Sequence, residues 1–520
     1  MRRRLALLFC VLGAAELIPS KAWSANDKTP KTKVSLTNTL TTEARSNNLN
    51  GDDSDDNYKA IIDRFNLKLV RGQLTLSTRI DVMAFYGPPT DEFVDDARPE
   101  RITAQYRHKN ITFLAGDFYR QLGRGIMLAV RKVDEAGLDL SLRGGQIQYK
   151  GSKHRASMFG AVFNPANLDA ISQKFIEDTG DLLAGGHYEF AGFDSFQVGL
   201  MSVFTQPEET ILPEALISEK GAKDRNFSGG TYLQLPDLTD DLSLYFEADV
   251  QQRNVAGAKE PTIGYAAYAT ADVAVADFLV LVESLYLNDW EQRGSRNTAL
   301  RRRFDFNYAP TLERIDQEVF ENIDTLGTRI RIERSLEAID LLLYVNGMVR
   351  INNINKDDSA NLTQFHGFGG FEYLFEDGAS HFYLSGGYRE ENEPDREIRT
   401  LAHVEFDYLH VLDKDLAFHM VSNNEFRTLE ENRFERGSTL IGVEKSGTAA
   451  LTIEIGYDTQ DPTEGVSNMF LAAILSWEIN EMFRLRAIAG TQRGGIKCIA
   501  GVCRDFPEFA GAKAEFVTRL

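Results

Sequence analysis

Two cysteines, Cys498 and Cys503, stand close together near the end of a 520-residue chain, and a third, Cys10, lies in an apolar run at its start. In an oxidising compartment such a pair can form a disulfide. Gly501 lets the link 499–502 turn tightly, and two ligands alone do not make a zinc site. The stretch NGDDSDDN at 50–57 puts Asp53, Asp55 and Asn57 at the opening spacing of a calcium loop. The glycine and the distal bidentate glutamate of such a loop are missing, so it reads as a solvated hairpin tip. The eight histidines are scattered, with no H-E-x-x-H, and neither a G-x-S-x-G nor a P-loop pattern occurs. His403 and His419 flank one expected turn and come nearest to a catalytic pair. A lone histidine on a strand is more simply a polar wall group. The expectation is therefore a protein that is not an enzyme, with no catalytic residue, metal or cofactor.

The densest chemistry-bearing sets are charges. Segment 119–142 carries Arg120, Arg124, Arg131, Lys132, Asp134, Glu135 and Asp139. Gly123 and Gly125 allow it to bend sharply. A charged loop folded into a pore would narrow it and set its selectivity. Arg301, Arg302 and Arg303 form the densest basic cluster and could attract anionic solutes or lipopolysaccharide phosphates. Arg329, Arg331, Arg484 and Arg486 sit at polar positions of strands, as do Glu247, Asp249, Glu405, Asp407 and Glu454. Facing basic and acidic walls would create a transverse field.

The elements that must position these groups are strands. In LSLYFEADV, 242–250, Leu242, Leu244, Phe246, Ala248 and Val250 alternate with Ser243, Tyr245, Glu247 and Asp249. RITAQYR at 101–107, TRIRIER at 328–334, LTIEIGYD at 451–458 and FRLRAIAG at 483–490 alternate in the same way. Period-two alternation makes strands with one apolar and one polar face. Short turns, as at 71–73, 108–110 and 446–449, take turns with long polar stretches such as 119–142, 288–323, 389–398 and 458–467. A transmembrane barrel alternates its connections in this manner. The inward face is too charged for a packed core, and a wet lumen resolves that. The expected fold is all-β: a single transmembrane antiparallel barrel of about 22–24 strands over 33–520, with short periplasmic turns, long outer loops and no plug domain. It would close on 511–520.

Residues 1–24 begin with Arg2, Arg3 and Arg4, continue apolar from Leu5 to Ala15, and end in Ala22 and Ser24. That is the pattern of a secretory signal peptide. Its loss would remove four basic residues and one acidic residue, taking the net charge from −20 to −23. A short periplasmic segment, 25–32, would then lead into the barrel. Such acidity argues against a nucleic-acid partner. The expected partners are outer-membrane lipid and lipopolysaccharide, the barrel-assembly machinery and a small polar solute.

Two motifs add a resemblance. One is GDFYRQLGRGIMLAVRKVDEAGLDLSLRGGQIQY at 116–149, with Gly116, Asp117, Phe118, Tyr119, Gly123, Gly125, Leu138, Asp139, Leu142, Arg143 and Gly144. The other is RGGIKCIAGVCRDFPEFAG at 493–511, with Gly501, Val502 and Cys503. Together, over about a tenth of the chain, they resemble an uncharacterised family of large porin-like outer-membrane barrels of Gram-negative bacteria. The resemblance implies a fold and an outer-membrane location, and it supplies no substrate. The sequence thus points to a porin-like channel for small polar or charged solutes, or else to a non-conducting scaffold or adhesin, or a component of an export machine.

Overall fold

The computed structural model describes residues 31–520 except 50–51, 194, 214–221, 298–301, 315–322, 355–360, 394–395, 430–431, 461–467 and 500–501. The expected signal peptide and most of segment 25–32 lie outside the described residues.

Twenty-four long strands among the described residues form one antiparallel sheet, running from Thr32–Arg45 to Phe509–Arg519. Each pairs with its neighbours in the chain, and the first pairs with the last, from Thr37 opposite Arg519 to Arg45 opposite Gly511. Closure leaves no unpaired edge, the condition a sheet must meet to cross lipid. Eleven connections of two to four residues gather at one end, and all the others leave from the opposite end. At Gly72, a φ of 59° lets one of the tight turns form.

The alternation sorts as its periodicity dictates. In Leu242–Asn254, Phe246 and Val250 face outward and exposed, while Glu247, Asp249 and Gln251 point inward and are buried. Register places Phe246 between Leu233 and Ala269, and Glu247 between Tyr232 and Tyr268, so each face continues across strands. Near the short turns the outward face carries Tyr106, Tyr149, Tyr188, Phe278, Tyr373 and Trp477, all exposed. Such rings settle at the boundary between lipid and water. Together these features define a transmembrane β-barrel.

One expected loop is a strand instead. Segment 389–398 continues a tall hairpin in which Ser380–Glu393 and Arg396–Asp413 stay paired up to Glu393 and Arg396. On its inward face Arg389 and Glu391 are buried and pair with each other. The outermost connection near the C-terminus also forms a hairpin, Gly495–Ile499 against Val502–Phe506.

Candidate functional site

Two long connections that meet inside the barrel are 119–137 and the one that follows Phe278–Asn288. Within 119–137, Arg120–Leu122 pairs with Leu128–Val130 as a small hairpin. Its apex needs glycine. Gly123 has φ 54°, and a Cβ there would fall within the reach of the Glu247 carboxylate. A Cβ on Gly125, at φ 87°, would stand 2.9 Å from the Tyr308 carbonyl oxygen. Ile126, Met127, Leu128 and Val130 are fully buried against Tyr245, Tyr268, Leu285 and Leu287 of the inner wall. The connection after Phe278–Asn288 covers them with Trp290, Phe304 and Phe306. The Trp290 indole N–H donates to the Ile126 carbonyl at 3.0 Å. Backbone bonds from Ala129 to Phe306 (2.7 Å) and from Tyr308 to Gly125 (2.9 Å) sew the two segments together. The apolar residues of 119–142 therefore anchor the loop, a role hidden in the sequence behind its charges.

The apolar cluster has no wall member beyond Met348 among the described residues. On the remaining wall, inward charges near the short-turn end stay wet. His381, Asp407, His419 and Glu444 keep between 27% and 42% of their side-chain surface exposed.

The charged residues of 119–142 do not converge. Arg120 donates to the Ser157 hydroxyl. The Arg124 backbone N–H donates to Glu247 at 2.8 Å, and its guanidinium lies 4.5 Å over Tyr245. Arg131 lies 5.4 Å over Tyr308. Lys132 and Asp134 pair at 2.6 Å in an exposed position, and Glu135 is exposed beside them. Asp139 joins a different network, accepting from Arg101 (3.2 Å), Arg79 (2.5 Å) and the Tyr119 hydroxyl (2.9 Å).

The expected basic and acidic walls are interleaved. Arg329 pairs with Glu283, Arg331 with Glu333 at 2.5 Å, and Arg484 with Glu478 at 3.8 Å. Arg486 stands opposite Glu515 in the register, and Glu454 accepts from Gln492 at 2.6 Å. Glu247 and Asp249 lie beneath the inward loop. An enclosed charge without a partner is costly, and Arg329, Arg331 and Arg484 each pair with a nearby acid rather than standing as a separate basic wall.

Arg303 is likewise turned inward, donating to the carbonyl oxygens of Gly294 (2.9 Å) and Thr210 (2.6 Å); Arg301 is outside the described residues. The acidic tip at 50–57 is less solvated than its composition suggests. Asp56 accepts from the Asn48 backbone at 3.1 Å, Asp55 lies 3.6 Å from Arg45, and Asp52 caps the turn Asp53–Asp55. His403 and His419 do not form one site. His419 lies near the short turns between Asp407 (2.8 Å) and Glu444 (3.1 Å), whereas His403 faces His366. Cys498 and Cys503 are directly opposed in their hairpin backbone, and their side chains are outside the described residues.

Sequence reasoning missed the group that ties 306–314, the later part of the same connection, to the wall. Glu313 accepts from Gln364 at 2.9 Å and bonds His366 Nδ1 at 2.6 Å. His366 Nε2 meets His403 Nε2 at 3.0 Å, His403 Nδ1 meets the Arg314 guanidinium at 3.2 Å, and Arg314 donates to Glu405 at 2.7 Å. One proton assignment satisfies this chain. His366 donates to Glu313 and accepts from His403, which in turn accepts from Arg314. Burial pushes the Glu313 carboxyl up, but the His366 bond, the Arg389 charge and the Arg314 backbone bond outweigh it and hold the group below its ordinary value. No spacing rule links residues 313, 366 and 403, so no local signal announces the chain.

Beside this latch lies a cavity of about 720 Å³. Arg124, Arg131, Arg314, Arg329 and Arg331 line it together with Tyr308, Tyr344, Phe368, Tyr383 and Asn346. Four of these five arginines were singled out from sequence; the structure brings them together through three separate parts of the chain.

No protein-family model matches the sequence, and no curated protein is similar to it. Among solved structures, the siderophore receptor PirA from Pseudomonas aeruginosa is 8% identical, over 95% of this chain and 81% of that chain, with a TM-score of 0.47. The P pilus usher PapC translocation pore is 8% identical over 94% of this chain and 98% of its own, with a TM-score of 0.42. OccK5 (OpdH) from Pseudomonas aeruginosa is 9% identical over 72% of this chain and 95% of its own, with a TM-score of 0.39. Similarity this low assigns no role to the chain.

Proposed function

We propose that the protein is a porin-like channel of the outer membrane that admits small polar or charged solutes through a lumen narrowed by its own loops. One observation carries this reading. The apolar loop cluster fills the barrel against one arc of wall, while beyond Met348 the inward charges near the short-turn end, among them His381, Glu444 and Arg484, stay in water. A wet charged wall beside a fixed constriction filters solutes by width and charge. Lipopolysaccharide around the barrel and assembly by the barrel-assembly machinery accompany the same reading.

Reconstitution in a planar bilayer tests it. Discrete ohmic steps are expected. Silence from a folded, heat-modifiable barrel would sink the proposal and favour a non-conducting surface scaffold or adhesin.

A further inference from the structure

We infer that the cavity beside the Glu313 latch binds a hydroxylated anion, of which a sugar acid is the simplest kind; this rests on the channel reading above and names the solute class.

The lining of the cavity is rich in arginine in a protein whose net charge is −20. Five arginines line it with three acids, Glu283, Glu313 and Glu372; Arg329 pairs with Glu283, and Arg331 and Arg314 pair with Glu333 and Glu405 beside the cavity. Two of those acids are already engaged, Glu313 by Gln364 and His366, and Glu283 by Arg329 and the Tyr268 hydroxyl. Arg124 makes no ion pair among the described residues and is held over the Tyr245 ring. Arg314 lies 5.3 Å over Phe368 and Arg331 lies 5.1 Å over Tyr344. A guanidinium braced on an aromatic face keeps its planar donors aimed, which suits recognition of a carboxylate.

The second observation is Asn346, only 2% exposed, with neither its amide nitrogen nor its oxygen hydrogen-bonded. Register sets it directly between Arg331 on one strand and Phe368 on the next, in the wall of the cavity. A buried side-chain amide ordinarily has partners. A carboxylate alone would serve only the NH₂ group, because it offers no proton to the oxygen. A hydroxyl both donates and accepts, so an acid flanked by hydroxyls serves the arginines and Asn346 together. The cavity is of the size that encloses an organic ligand rather than a simple ion.

Current blockade of the full-length protein in a bilayer tests this with three probes: glucuronate, glucose without the charge, and hexanoate without the hydroxyls. Glucuronate is expected to block at least tenfold more tightly than either. Asn346→Leu should bring glucuronate down to the level of hexanoate, and Arg124→Ala should weaken both acids. Equal block by glucuronate and hexanoate in the unmodified protein would overturn the inference, with no variant needed. Conductance without block also overturns it and leaves the channel reading intact. If no current flows, calorimetry in detergent decides: glucuronate binding lost in Asn346→Leu supports the site while refuting the channel, and no binding refutes both.

Discussion

Replacing Trp290 with alanine probes whether the inward loop constricts the barrel. Trp290 is 1% exposed and bridges two segments, packing with Ile126, Phe304 and Phe306 and donating to the Ile126 carbonyl at 3.0 Å. Truncating a buried tryptophan typically costs about 3–5 kcal/mol, the lost indole bond included. The cost falls on docking of the loop, because the Trp290 side chain lies inside the barrel and leaves the strand pairing untouched. At about 1.4 kcal/mol per tenfold, the ratio of docked to undocked loop should fall by roughly two to three and a half orders of magnitude. Single-channel recording is the assay, with larger and noisier steps expected, alongside new protease sensitivity in 119–137. Trp290→Phe keeps most of the burial and loses mainly one hydrogen bond, worth about 1 kcal/mol, so it should stay near the unmodified conductance. A folded, heat-modifiable W290A barrel with unchanged steps and unchanged protease resistance would refute the reasoning.

Three further outcomes are expected. Arg504, buried on the final hairpin, pairs with Asp169 at 2.6 Å and donates to the Gly137 carbonyl at 3.1 Å. Arg504→Ala should therefore weaken that hairpin's docking by about 3–5 kcal/mol, seen as proteolysis within 495–506 without loss of heat-modifiability, and Asp169→Asn should restore part of it. The Glu313 carboxyl titrates below its ordinary value of 4.5, so its stabilisation is complete above that pH and is lost as pH falls through the lower, folded value. Channel current should change on acidification below 4.5 and lose that step in Glu313→Gln; identical acid profiles for the two proteins would count against the latch. Backbones directly opposed at Cys498 and Cys503 suit a disulfide, so mass spectrometry of protein from intact cells should find no free thiol before reduction and two after it.

The sequence by itself determined the barrel. Strict alternation in stretches such as 242–250 fixes which face meets lipid, because side chains on a strand point to opposite sides. The alternation of short and long connections then fixes the end at which the loops gather. The same pattern restricts the register to slips of an even number of residues, since a slip of one would turn Phe246 inward and Glu247 into lipid. The loops were another matter. The charges of 119–142 drew attention, yet Ile126, Met127 and Leu128 decide where the segment goes, and their partners at 285–290 and 304–306 lie more than 150 positions away. Arg124, Arg131, Arg329 and Arg331 were visible as charges, but only the folded chain sets them around one cavity with Arg314 and Asn346. Strand faces are set by neighbours along the chain. The lumen is set by which distant apolar and charged groups can satisfy one another once the barrel has closed, and this is a property of tertiary structure alone.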